Sequence, residues 1–433
     1  MKLPTPIILA SQLPSAQILP TTTPPYTTSL TPLQSLQTSL ATLQTTFFNH
    51  EKGAWPTAID WTSSVINTIL LASLQTLTAA PINTTPADAH ETQTQIRDAF
   101  ADSVAYYTHE SMAAFPHHAI DDMLWVVLNW LEALTYLQTT HAATPPNLHH
   151  AFASRAERFY ATAAQAWDTT LCAGGILWNP TIAPYKNAIT NQLYVSASTA
   201  LHRSSPATNT TTYLSTAIAA YAWLNASGMR NPQGLYIDGF HIRGSDVRSG
   251  DLGSAECDVR NEEVWTYNQG VVLSGLRGLY EGTGEVGYLR DGYALVDDAV
   301  AATGWSSSET TAAGILGENG ILADPCDAFG TCTQNAQTFK AAFFHHLTAF
   351  CAPLPGAGSH EERCRGYAGW VEWNARAALR SRGDGGKFGG WWGEDGEVGD
   401  VNERGRGRTV EAFVSGVAVV RAWVEWERWY PQE

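Results

Sequence analysis

The 433 residues carry 41 acidic and 25 basic side chains, a formal charge of -16, with 44% hydrophobic and 15% charged residues. That composition belongs to a globular chain with a sizeable core, and the acidic excess would repel a phosphate backbone or an anionic membrane surface, so no nucleic-acid partner is expected. Sixteen Trp and 16 Tyr supply flat apolar faces suited to a neutral ligand such as a sugar.

In chain order, "LPTTTPPYTTSLTP" makes the stretch 1–31 a Pro/Thr-rich, weakly signal-like tether ahead of one domain at 32–433. From Pro32 onward apolar residues recur at helical spacing, and two-residue alternation is nearly absent. Helices are predicted at 32–48, 60–78, 88–110, 120–140, 149–170, 182–203, 208–226, 262–282, 285–303, 334–350, 360–382 and 408–428. Four connections join glycines to a bulky side chain: "GGILWN" at Gly174, "QGLYIDG" at Gln233, "NGILAD" at Asn319 and "KFGGWWGE" at Lys387. They read as variants of one turn, recurring at about 60 to 85 residues, the spacing of a two-helix repeat. Twelve helices in six hairpins close naturally into an all-α (α/α)6 toroid, whose loops gather around one central cleft.

Six cysteines without a CxxC pair point to disulfides, and sequons at Asn83, Asn209 and Asn225 agree with a secreted or cell-wall location. No run of 18 apolar residues occurs, so no membrane span is expected, and the C-terminus lacks a lipid-anchor tail. A monomer is expected.

The segment "HHAIDDMLWVVLNW" sets Asp121 and Asp122 at the head of an apolar helix. Capping is the commoner use of such residues, because exposed N–H groups and the positive end of the dipole favour carboxylates. Glycoside hydrolysis offers a second use. Two close carboxyl groups push their pKa values apart and supply one nucleophile and one acid. Trp125 and Trp130 on the same helix could line a cleft or simply pack. Further along, Tyr267, Asn268 and Gln269 precede Gly270 at a helix start, where amides can bond adjacent sugar hydroxyls or cap. Trp391 and Trp392 are too large to leave bare in their Gly-rich tract and are expected to roof the cleft or pack on its rim.

Other patterns are set aside. "GTGEVG" at Gly282 to Gly287 follows a helix rather than a strand and reads as a helix-to-helix turn. The pairs His117-His118, His149-His150 and His345-His346 are adjacent, so one helical face cannot chelate through both members; no metal is expected. Neither GxSxG nor HExxH occurs.

The doublet segment resembles the double-aspartate motif of glycoside hydrolase family 76, the α-1,6-mannanases and their fungal cell-wall relatives. Four more stretches agree in order: "DWTSSVINTILLASL", "GGILWNPTIAPYKNAITNQLYVSASTAL", "GLYIDGF" and "WTYNQGVVLSGLRGLYEGTGEVGYL". The resemblance implies an (α/α)6 barrel and a retaining, endo-acting glycoside hydrolase of the mannan endo-1,6-alpha-mannosidase kind, needing no cofactor. It implies Asp121 as nucleophile and Asp122 as general acid/base. It also places Trp178, Asn187, Asp238, Tyr267, Asn268 and Gln269 near an α-mannan substrate. The chain departs from the family pattern at Asn335, where an aspartate is usual, at Ala341 after Lys340, and at Leu177 in place of a first tryptophan. A mannan transglycosylase and a non-catalytic mannan-binding protein are the alternatives.

Overall fold

The computed structural model describes residues 30–80, 86–109, 119–140, 147–204, 210–246, 249–305, 313–356, 358–394 and 399–431. Nearly all of the Pro/Thr-rich tether, the sequons at Asn83 and Asn209, and the pair His117-His118 lie outside the described residues.

Thirteen α-helices are found among the described residues: α1 Pro32–Phe47, α2 Asp60–Ala79, α3 Pro86–His109, α4 Ile120–Thr140, α5 Leu148–Ala164, α6 Ala188–Ser204, α7 Thr210–Ala226, α8 Thr266–Thr283, α9 Val286–Ala301, α10 Phe339–Cys351, α11 Gly358–Arg365, α12 Ala368–Arg380 and α13 Val410–Trp429. Their ends follow local chemistry. Thr31 and Gln34 form a capping box around Pro32 at the start of α1. Thr409 accepts from the Ala412 N–H at the start of α13. Gly284, at φ 76°, ends α8, so "GTGEVG" is the turn between α8 and α9.

Six helices form a closed inner ring. α2 packs on α4, α4 on α6, α6 on α8, α8 on α10, α10 on α13, and α13 returns to α2. Five of the inner helices are covered by long outer ones, α13 by α1 and α12, α2 by α3, α4 by α5, α6 by α7 and α8 by α9, while α10 meets the short α11. Inner helices are therefore buried nearly all round, as α2 and α6 show, with small polar side chains such as Ser64, Asn67, Ser196 and Thr199 buried among the apolar ones. This is the (α/α)6 arrangement, with α11 as a short addition.

Three boundaries differ from expectation for identifiable reasons. The helix predicted from 182 begins at Ala188, because Tyr185–Asn187 (β1) pairs antiparallel with Gly239–His241 (β2), which pairs in turn with Val259–Asn261 (β3). The helix predicted from 262 correspondingly begins at Thr266. The one predicted at 360–382 divides into α11 and α12 around Gly366 and Tyr367. A second small sheet joins Ala313–Gly314, Gly317–Glu318 and Ile321–Leu322.

The four glycine turns share one device. Ile176 N–H bonds Asn191 Oδ1 (2.8 Å) while Asn191 Nδ2 donates to Ile176 O (3.2 Å). Gln269 does the same for Tyr236 (2.8 and 2.9 Å), and Asn402 for Trp391 (2.8 and 3.0 Å). Asn374 takes the Leu322 N–H and donates to Gly320 O. One amide side chain thus satisfies a donor and an acceptor of a buried turn. At the first turn Gly174 and Gly175 have φ of 143° and 89° and lie against the Trp223 ring, where a Cβ would collide.

All six cysteines are paired, Cys172–Cys257, Cys326–Cys332 and Cys351–Cys364. No described helix is long and apolar enough to cross a membrane.

Candidate active site

The starts of five inner helices converge on one cleft of ≈ 370 Å³. Trp61 comes from the first turn of α2, Asp121, Asp122 and Trp125 from the start of α4, Tyr267 from α8 and Phe339 from α10. The segment leading into α6 adds Trp178, Tyr185 and Asn187, the approach to β2 adds Asp238, and Ala119 and Asn335 complete the lining. Helix starts present N–H groups and the positive ends of their dipoles, which favours carboxylates at this mouth. Among the described residues the lining holds three carboxylates, six aromatic rings and no basic side chain.

The aspartates occupy the first turn of α4 and both face the cleft. Asp121 Oδ2 accepts from Trp178 Nε1 at 3.2 Å, and its Oδ1 accepts from the Asp122 N–H at 3.2 Å. The same Trp178 binds the helix start through its carbonyl, which accepts from Ile120 N–H at 2.7 Å. Burial and then the like charge of Asp122 hold the Asp121 carboxyl well above the usual carboxylate range, against the lowering effect of those N–H donors. Asp121 therefore keeps its proton to higher pH than an isolated aspartate.

Asp238 is a third acid facing the pair. Tyr185 donates its hydroxyl to Asp238 Oδ2, Asn261 Nδ2 lies 3.3 Å from the same oxygen, and Asn268 Nδ2 lies 3.4 Å from Oδ1. Burial raises the Asp238 pKa. Alternation along β1 explains the geometry: Tyr185 and Asn187 face the cleft, whereas Lys186 points behind it and donates to the carbonyls of Asp168, Leu171 and Gly174. Asn187 also caps α6 by accepting from Thr190 N–H. The aromatic walls are Trp61 stacked on Trp125 (centroids 5.6 Å apart, 25°), Tyr267 on Phe339 (3.8 Å, 15°), and Trp178 edge-on to Tyr185 (6.2 Å, 89°).

Of the eleven residues singled out in the sequence, the structure brings together Asp121, Asp122, Trp125, Trp178, Asn187, Asp238 and Tyr267. Four are placed otherwise. Gln269 is fully buried and spends its amide on Tyr236 and on the Trp265 carbonyl, so it builds the turn behind the cleft. Asn268 is buried one layer back, beneath Asp238. Trp391 and Trp392 do not roof the cleft. Trp391 packs with Ala323 and Val401, its backbone held by Asn402, and Trp392 lies in the main core beside Phe344. A ring buried on both faces gains more from packing than a roof position would offer. Trp130 is likewise core, stacked on Phe152. His345 and His346 are core histidines, with His346 Nδ1 2.7 Å from Ser274 Oγ and its pKa lowered by burial to about 3.

Sequence reasoning missed Trp61, Tyr185 and Phe339, and noted Asn335 only as a departure from the family pattern. Trp61 and Phe339 carry a usable signal, since each sits within the first two residues of an inner helix. Asn335 accepts from Trp61 Nε1 at 2.8 Å and so fixes the outer ring of the Trp pair.

Mannan endo-1,6-alpha-mannosidase DFG5 of Saccharomyces cerevisiae is 28% identical over 196 residues, covering 43% of this chain and 37% of that protein. DCW1 of the same yeast is 25% identical over 295 residues, covering 64% and 58%. The chain thus spans less than two thirds of the length of either relative. In fold it is similar to an inactive variant of the α-1,6-mannanase GH76A of a Salegentibacter species in complex with α-1,6-mannotriose, with TM-score 0.66, 16% identity, 92% of this chain and 100% of that one. It is also similar to Dfg5 of Chaetomium thermophilum in complex with glucosamine, with TM-score 0.67, 18% identity, 91% and 90%. The sequence model of glycosyl hydrolase family 76 matches residues 42–404, and the chain belongs to that family.

Proposed function

We propose that the protein is a secreted or cell-wall glycosidase that cleaves α-1,6-mannosidic linkages within mannan with retention of configuration. The observation that carries this reading is the placing of Asp121 and Asp122 side by side in one aromatic-walled cleft whose described lining has no cationic side chain. Asp121 attacks the anomeric carbon and the glycosidic C–O bond breaks as Asp122 protonates the departing oxygen. Water then attacks the glycosyl–Asp121 ester while Asp122 takes its proton, which returns both groups to their starting state. Two N–H donors fix Asp121 and stabilise its ionised form, as suits a nucleophile. Burial opposes that ionisation. The oxocarbenium-like transition state supplies positive charge beside Asp121 and offsets this cost where the rate is decided. Asp238, Asn187 and Asn335 offer acceptors and donors to sugar hydroxyls, and the stacked rings offer apolar faces. The names of the yeast relatives and the mannotriose bound by the Salegentibacter enzyme supply the linkage in this proposal.

Asp121→Asn and Asp122→Asn are each expected to lower activity on α-1,6-mannan by at least about 10³-fold without a fall in melting temperature, as loss of a group acting in the transition state does. Full activity in either variant overturns the proposal. The walls of paired rings also suit an acceptor sugar in place of water. Products longer than the substrate would identify that transfer reaction, and shorter ones hydrolysis.

A further inference from the structure

Behind the Tyr267–Phe339 wall lies a group of buried charges that the mechanism does not use. Asp324, Asp327 and Lys340 are 2%, 3% and 1% exposed. Asp324 Oδ1 accepts from the Thr266 N–H and its Oδ2 from the Thr266 hydroxyl, both at 2.8 Å. Asp324 N–H in turn donates to Asp327 Oδ2 at 2.9 Å, the oxygen that Lys340 Nζ also contacts. Lys340 Nζ donates further to Gly390 O at 2.5 Å and stands over the Trp392 ring. The Cys326–Cys332 bridge closes the loop that carries Asp327.

The connectivity is specific. Thr266 directly precedes Tyr267, and Lys340 directly follows Phe339. Trp265, the N-cap residue of α8, makes no side-chain cap bond, so Asp324 from a distant segment supplies that cap. One end of the charge group therefore holds the first turn of α8 and the other end holds the first turn of α10. These two turns carry the two rings that stack at 3.8 Å on the cleft wall. Buried ion pairs add little stability over well-packed apolar side chains, because desolvation consumes most of the attraction. What they add is direction, since an N–H donor weakens steeply away from a straight approach to its acceptor, and Asp327 Oδ2 gathers two such donors at one point.

We infer that Asp324, Asp327 and Lys340 are positioning residues that set the Tyr267–Phe339 wall of the substrate cleft by anchoring the first turns of α8 and α10 from behind. The inference builds on the proposed saccharide-binding role of this cleft. Two carboxylates sharing one ammonium leave an unbalanced buried charge, consistent with the Asp324 carboxyl being pushed up to about 7 by burial and by Asp327.

The test is a double-mutant cycle on an α-1,6-mannooligosaccharide. Asp324→Asn keeps an acceptor for the Thr266 N–H and loses the one for its hydroxyl, so the fold is retained. It is expected to raise KM about ten-fold with kcat within about three-fold, and to raise KM no further in a Tyr267→Ala background. Lys340→Met is expected to behave alike. An unchanged KM, or an equal rise with and without Tyr267, overturns the inference. Hydrogen exchange separates its failure from that of the functional reading, since it needs no substrate. In Asp324→Asn, amides at 266–270 and 339–342 are expected to exchange faster with the melting temperature held, whereas unchanged rates there refute the anchoring itself.

Discussion

Asp121 and Asp122 are neighbours in sequence, yet only Asp121 takes the indole N–H of Trp178. The roles proposed for the pair make a separable prediction. A substrate with an activated aryl leaving group needs no proton from the enzyme, so Asp122→Asn should still form the glycosyl intermediate while Asp121→Asn should not. The pH dependence follows from the direction of the Asp121 shift. With its pKa raised, Asp121 ionises only at higher pH, and removing the Asp122 charge lets its pKa fall. The acid limb of the aryl-substrate burst is therefore expected to move to lower pH in Asp122→Asn. An active Asp121→Asn beside an inactive Asp122→Asn would reverse the roles. At this scale the doublet was legible as two like charges set side by side at the head of an apolar helix. The donors that orient it, from Trp178 and the helix start, depend on a fold that sequence spacing does not reveal.

The four glycine turns show what an element discloses and what it hides. Glycine beside a bulky residue marked each turn, but the amide that closes it lies 11 to 52 residues away, as Asn402 does from Trp391 and Asn374 from Leu322. Nothing in local pattern separates such an amide from a sugar ligand, which is why Gln269 was expected in the cleft and was found holding Tyr236. Asn402→Leu should leave the Trp391 N–H and C=O buried without partners. A loss of about 2 to 4 kcal/mol in denaturant unfolding, with KM for mannooligosaccharide unchanged, is the expected result. A change confined to KM would return Trp391 to the cleft. Trp391 and Trp392 teach the same lesson, because their size demanded burial without saying against what.

Over the whole molecule, helical periodicity made the ring visible in advance: apolar repeats located the helices, and the alternation of hairpins predicted closure. The small sheet β1–β3 was not visible, since three-residue strands have too little length for a two-residue pattern. That sheet matters because it aims Tyr185 and Asn187, and Cys172–Cys257 ties the loop behind it across 85 residues. Replacing both cysteines by serine should lower stability by about 2 to 4 kcal/mol through the freed unfolded chain, read as a lower melting temperature. No change would mean that the loop is held by Lys186 and its carbonyls alone. The central claim concerns the two neighbouring carboxylates, and the anomer formed first decides it. Proton NMR of a fresh digest of α-1,6-mannotetraose should show the α-anomer of the new reducing end before mutarotation, and initial appearance of the β-anomer would contradict the account.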